Sequence, residues 1–250
     1  MSAAAPPPNL PADIRPNTLQ ADLLRHGLPH DLIQQVTDYV KSYMAPYDGS
    51  HDFAHVLRVL GLSQILRAQD TARYDRVTTI LAALLHDVGD RKYLLPHQDS
   101  ATLVRDVLLS FGSTDEFADK VQTIATAVSY STEVKDPQVV RDVIAKYPEL
   151  EVVQDADRLD AIGAIGIGRV FTFGGAKGRG METSLDHFED KLVKVAGSMK
   201  SKLGREMAKE RTVRLFKFMK MWEEEVGEAE VGLEGLKEII GRGVLSLGTG

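Results

Sequence analysis

The stretch VTTILAALLHDVGD, residues 77–90, sets the fold class. Val77, Ile80, Leu81, Leu84, Leu85 and Val88 recur at the i, i+3, i+4, i+7 spacing that gathers apolar side chains on one face of a helix. The run ends in His86, Asp87 and Gly89, which is odd for a purely structural element. An imidazole and a carboxylate at the end of a buried helix need partners, because burial without them costs several kcal/mol. A metal ion is one good partner, since it takes neutral imidazole and ionised carboxylate together.

Working outward, HDFAHVLRV at 51–59 places His51 and His55 four residues apart, and the run from Val56 through Leu66 reads as helical. Downstream, QDADRLDA at 154–161 sets three aspartates and Arg158 between apolar runs. Two histidines and two or more aspartates make a mixed nitrogen and oxygen site. That donor set suits Mn²⁺, Fe²⁺, Co²⁺, Ni²⁺ or Zn²⁺, and Mg²⁺ less well.

Helical periodicity continues along the chain. Leu185, Phe188, Leu192, Val195 and Met199 form one stripe, preceded by Thr183 and Asp186 at capping-box spacing. Met207, Leu215, Phe218, Met219, Trp222 and Val226 form another, and Ser113 with Glu116 offers a cap ahead of Phe117. VSYST at 128–132 is the one strand candidate. Loops are expected at 45–50, 89–100, 111–115, 131–138 and the glycine-rich 174–180, and Gly163, Gly166 and Gly168 suggest close helix packing. The expected fold is an all-α, single-domain helical bundle over 17–240, with a flexible leader at 1–16 and a tail at 241–250.

Composition narrows the function classes. The net charge of −6 gives no general attraction for nucleic acid or anionic lipid, so an anionic substrate must be drawn in by a local cluster or a metal. The absence of cysteine removes disulfides, thiolate sites and Cys nucleophiles. No apolar run reaches the roughly twenty residues of a membrane helix, and MSAAAPPPNLPADIRP lacks the pattern of a secretory signal. A cytoplasmic location, with the nucleus as alternative, is expected by elimination.

Three motifs in order, H-x-x-R-V at His55–Val59, A-A-L-L-H-D-V-G at Ala82–Gly89 and A-D-R-L at Ala156–Leu159, resemble the HD superfamily of metal-dependent phosphohydrolases. QDADRLDAIGAIGIGRVFTFGG, HFEDKL at 187–192 and REMAKER at 205–211 are similar to its bacterial YpgQ-like and YedJ-like branch. The resemblance covers roughly residues 50–225. It implies His55, His86, Asp87 and Asp157 as metal ligands, with Asp155 and Asp160 orienting ligands or pairing with Arg58. It also implies Mn²⁺ as activator and cleavage of nucleoside triphosphates to monophosphate and pyrophosphate. Asp157 takes precedence over Asp155 because it occupies the aspartate position of the family motif.

Around that centre, Asp90 is expected to relay a proton, and Arg91 and Lys92 to meet phosphate oxygens. His51, Arg58, Asp160, Lys177, Arg179 and Lys191 are candidate substrate contacts. GGAKGRG at 174–180 lacks the G-K-[ST] ending of a phosphate-binding loop, so a lid and a plain turn fit it equally. His26, His30, His97 and His187 read as ordinary surface groups. The expected partner is a small phosphorylated metabolite, in particular a nucleotide, with neither nucleic acid nor membrane. Alternatives are another nucleotide phosphatase or phosphodiesterase, or a non-catalytic nucleotide-binding module. All four ligand positions are filled, which favours catalysis over the module.

Overall fold

Short polar side chains set where many of the helices begin. In the computed structural model, which describes residues 16–90, 94–96, 98–187 and 192–240, α1 (Pro16–Arg25) and α2 (Leu32–Met44) come first. Asp52 then accepts from the His55 backbone N–H at 3.0 Å and opens α3 (Phe53–Arg67), and Asp75 accepts from Thr78 to open α4 (Arg76–Leu85). After α5 (Leu103–Ser110), Thr114 caps α6 (Asp115–Val128) by accepting from Phe117. The Ser113 hydroxyl instead donates to the Thr114 carbonyl, so the expected Ser113 cap is displaced by one residue.

The segment expected as a loop at 131–138 is largely helical. It holds α7 (Tyr130–Lys135) and the start of α8 (Pro137–Lys146). Asp136 accepts from the Gln138 and Val139 N–H groups, and proline suits the first helical turn, so residues that look turn-forming begin a helix instead. VSYST likewise spans the break between α6 and α7, and no strand occurs among the described residues.

The remaining helices are α9 (Glu149–Asp160), α10 (Gly163–Ala176), α11 (Met181–His187), a short α12 (Val193–Val195) running into a 3₁₀ turn, α13 (Lys202–Val226) and α14 (Glu228–Ile240). Two further expectations change here. Thr183 lies inside α11, so it cannot cap that helix, and the 174–180 loop begins within α10. The leader up to residue 15, the tail at 241–250, Phe188 and His97 lie outside the described residues.

Every residue of α4 is buried, so the run that read as one apolar face is enclosed on all sides. One core cluster joins α1, α2, α4, α5 and α6 through residues such as Leu32, Val40, Leu81 and Leu108. The other joins α3, α6, α9 and α13 through Val59, Val153, Leu159 and Leu215. α3 packs on both α4 and α9, which brings the histidine and aspartate motifs of three helices to one place.

α9 and α10 bend by 68° at their junction. Gly163 takes φ +75° there, a backbone region that favours glycine. A Cβ at Gly166 would run into the Ala161 carbonyl, so α10 approaches this closely only with glycine at that position. No single described helix is long and apolar enough to cross a membrane.

Candidate metal centre

His55 projects from the first turn of α3, while His86 and Asp87 follow directly on α4. Gly89, at φ +86°, lets the chain turn away after them, and its N–H donates to the Tyr43 hydroxyl at 3.2 Å. Asp157 comes from the last turn of α9. His55 Nε2 lies 3.2 Å from His86 Nε2, and Asp87 Oδ2 lies 3.3 and 3.5 Å from the two nitrogens. Asp157 Oδ1 is 3.6 and 3.8 Å from the same pair. The two imidazoles are buried, with side chains 1% exposed, whereas Asp87 and Asp157 keep 18% and 25%. The centre is therefore open on its carboxylate side.

The hydrogen bonds behind the rings fix the tautomers. His55 Nδ1 donates to Asp160 Oδ2 at 2.8 Å, and His86 Nδ1 donates to the Ala83 carbonyl at 2.8 Å. Both neutral rings then turn lone pairs at Nε2 toward each other and toward two carboxylates. Asp87 Oδ2 is buried and has no hydrogen-bond donor. Four acceptors converging without a hydrogen repel one another unless a cation sits between them. Ligand atoms ~2.1 Å from an ion stand about 3.0–3.4 Å apart, close to the separations seen here. The donor set therefore fits a divalent metal, with His55, His86 and Asp157 each offering an atom within 4.8 Å of the others.

Without a cation, the electrostatics show the same tension. Burial would lower the His55 pKa, but the hydrogen bond to Asp160 and the negative charge of Asp87 outweigh it and raise it to about 9. Burial would raise Asp87, yet positive charge on His86 and His55 holds its carboxyl far below the usual range.

Asp160 is 1% exposed and is used up by the scaffold. It accepts from His55, from Arg58 Nε at 2.7 Å and from Arg169 Nη1 at 3.1 Å. Burial pushes its carboxyl up, but the His55 and Arg58 hydrogen bonds hold it well below the ordinary value. The expectation that Asp160 meets substrate is thus corrected, since both its oxygens are engaged behind His55. Arg58 gives two hydrogen bonds to the same carboxylate, with its side chain 33% exposed.

Asp155 is engaged elsewhere. It accepts from Lys200 N, Ser201 N and Ser201 Oγ at 2.8, 2.7 and 2.6 Å and fastens the start of α13. The expectation that it orients a ligand or pairs with Arg58 is corrected accordingly. The reason is helical geometry: residues two apart point about 200° away from each other, so Asp155 and Asp157 serve opposite sides of α9.

Beside the centre lies a cavity of about 150 Å³ whose lining includes Ser50, His51, Arg169, Phe173 and Arg179. Lys177 and Arg179 each lie near the Phe173 ring, at 5.7 and 5.8 Å from its centroid. Asp90 is half-buried and follows Asp87 in a turn. Arg91, Lys92 and Lys191 lie outside the described residues. Ser50, Arg169 and Phe173 were not singled out in sequence. Arg169 sits in IGIGRVF, where a cation in an apolar run was the available signal.

Comparison with known proteins adds the family context. The HD-domain family model matches residues 52–162. The uncharacterised protein YpgQ of Bacillus subtilis strain 168 is 36% identical over 200 residues, which is 77% of this chain and 93% of that protein. The crystal structure of B. subtilis YpgQ in complex with ADP superposes with a TM-score of 0.63 at 33% identity, covering 78% of this chain and 95% of that one. An HD-superfamily hydrolase from Bacillus thuringiensis gives a TM-score of 0.58 at 30% identity, over 78% and 96% of the two chains.

Proposed function

Because the chain belongs to the HD-domain family, with the helical fold of an HD-superfamily hydrolase, we propose that it is a divalent-metal-dependent phosphohydrolase that cleaves nucleoside triphosphates to monophosphate and pyrophosphate. One observation carries this reading: two imidazole lone pairs 3.2 Å apart, with two carboxylates around them, beside a cavity lined by His51, Arg169 and Arg179. The complex of the relative YpgQ with ADP supports a nucleotide as the substrate class.

His55, His86, Asp87 and Asp157 would hold the ion, with Mn²⁺ the best match to the family and Co²⁺, Ni²⁺, Fe²⁺, Zn²⁺ or Mg²⁺ as alternatives. When bound, a divalent ion supplies Lewis-acid polarisation of a phosphoryl oxygen and acidifies water. The protein's own residues do the rest. Asp160 holds His55 in the tautomer that presents Nε2, with Arg58 and Arg169 keeping that carboxylate in place. Arg179 and Lys177, gathered near Phe173, set positive charge beside the cavity to orient a phosphate chain. Arg91 and Lys92, four and five positions after Asp87, would add positive charge for the phosphate oxygens, with Lys191 as a further contact. Asp90 would relay a proton between solvent and the centre.

The test is a panel of nucleoside tri-, di- and monophosphates and cyclic nucleotides with Mn²⁺, Mg²⁺, Co²⁺ and Zn²⁺, products separated by chromatography. Equal amounts of monophosphate and pyrophosphate support the proposal. Orthophosphate alone would instead make the protein a phosphatase. Tight nucleotide binding without turnover would make it a binding module.

A further inference from the structure

The loop ahead of α3 carries a hydrogen-bond chain with a chemical consequence for His51. Ser50 is 1% exposed and every polar atom it has is engaged. Its N–H donates to Asp48 Oδ1 at 2.9 Å, and its carbonyl accepts from Arg169 Nε at 2.7 Å. Its hydroxyl pairs with Asp48 Oδ1 and stands 2.7 Å from His51 Nδ1. The Asp48 carboxylate can only accept, so the single hydroxyl hydrogen of Ser50 goes to it. The bond between Ser50 Oγ and His51 then needs its hydrogen from the ring, and Nδ1 must carry it. In the neutral ring Nε2 is left as the accepting nitrogen.

His51 sits at a boundary where that matters. Its ring centroid is 6.1 Å from that of His55 and 5.8 Å from that of Phe173, and it lines the cavity beside the centre. Arg169 joins the two halves of the arrangement, since one guanidinium holds both the Ser50 carbonyl and the buried Asp160. His51 therefore follows the pattern of His55 and His86, with Nδ1 given to the scaffold, while standing outside the tight cluster of ligand atoms.

We infer that Asp48 and Ser50 are positioning residues that hold His51 in its Nδ1–H tautomer, so that His51 Nε2 accepts a hydrogen bond from the water that attacks the phosphoryl group. The role of that nitrogen rests on the phosphohydrolase reading; the tautomer does not. An unrestrained neutral imidazole prefers the opposite, Nε2–H tautomer, which would turn a donor rather than an acceptor toward the water.

The experiment follows the ring nitrogens of ¹⁵N-labelled full-length protein in excess Zn²⁺ by long-range ¹H–¹⁵N correlation. Wild type is expected to show His51 protonated at Nδ1, and Ser50→Ala to move the ring to the Nε2–H form. With turnover in hand, Ser50→Ala lowers kcat roughly 10–100-fold, while KM and metal content stay at wild-type values. His51→Gln, which keeps an acceptor near the Nε2 position, retains more kcat than His51→Ala. Asp48→Asn, which loses the acceptor-only carboxylate without opening a cavity, is a second variant expected to weaken the Nδ1–H preference. A wild-type His51 protonated at Nε2, or a tautomer that ignores both loop variants, overturns the inference. If no nucleotide is turned over, the phosphohydrolase reading fails by itself, and the tautomer measurement still decides the positioning claim.

Discussion

Replacing Asp155 with alanine separates the scaffold of α9 from its chemistry. The wild-type carboxylate is fully buried and accepts from Lys200 N, Ser201 N and Ser201 Oγ at 2.6–2.8 Å. Hydrogen bonds to a charged group contribute about 1.5–3 kcal/mol each, so three at the lower end come to roughly 4–5 kcal/mol. Burial opposes this, and it is the first cause of the raised Asp155 pKa. The variant removes the buried charge but leaves the Lys200 and Ser201 N–H groups without their acceptor, at about 1–3 kcal/mol each. A net loss of about 3–4 kcal/mol follows, or a fall in Tm of roughly 6–15 °C for a chain of this length. Scanning calorimetry on wild type and Asp155→Ala measures it, with metal content determined on the same samples. A Tm within about 2 °C of wild type would refute the anchoring role of Asp155. Loss of metal from a folded variant would refute the division of α9 into two faces.

Other consequences follow from neighbouring residues. Asp160→Asn keeps an oxygen near His55 but loses the charge that holds Arg58 and Arg169, so metal affinity or turnover falls roughly 10–100-fold while helical content by circular dichroism is retained. Gly166→Ala drives a methyl group into the Ala161 carbonyl and lowers Tm by several degrees, and a Tm equal to wild type contradicts the close approach of α9 and α10. His55 titrates in the metal-free protein at about 9, above its ordinary 6.5, so its stabilisation is complete below pH 6.5 and is lost as pH rises through about 9. Urea midpoints of metal-stripped wild type, minus those of His55→Gln, should therefore shrink between about pH 6 and pH 10; a difference that grows with pH contradicts the sign.

Much of this architecture was legible because burial and charge conflict openly in the sequence. An apolar helix such as α4 that ends in His86–Asp87 has few structural explanations, and the all-helical class follows from its periodicity and that of α6 and α13. The choice of Asp157 needed the family motif, because three aspartates in QDADRLDA differ only in which side of α9 they face. What remained hidden depends on tertiary contacts. Asp155 reaches residues 45 and 46 positions away, and Arg169 reaches back 119 positions to Ser50, separations that no local pattern reveals. The helices α7 and α8 were missed for a local reason. Ser129, Asp136 and Pro137 serve helix starts as readily as turns.

His55, His86, Asp87 and Asp157 are proposed to form one divalent-metal centre. Metal content after Mn²⁺ loading and dialysis, measured by mass spectrometry on wild type, Asp157→Asn and Asp155→Asn, tests it most directly. About one ion per chain is expected for wild type and for Asp155→Asn, and little or none for a folded Asp157→Asn. A metal-free Asp155→Asn beside a fully loaded Asp157→Asn would contradict it.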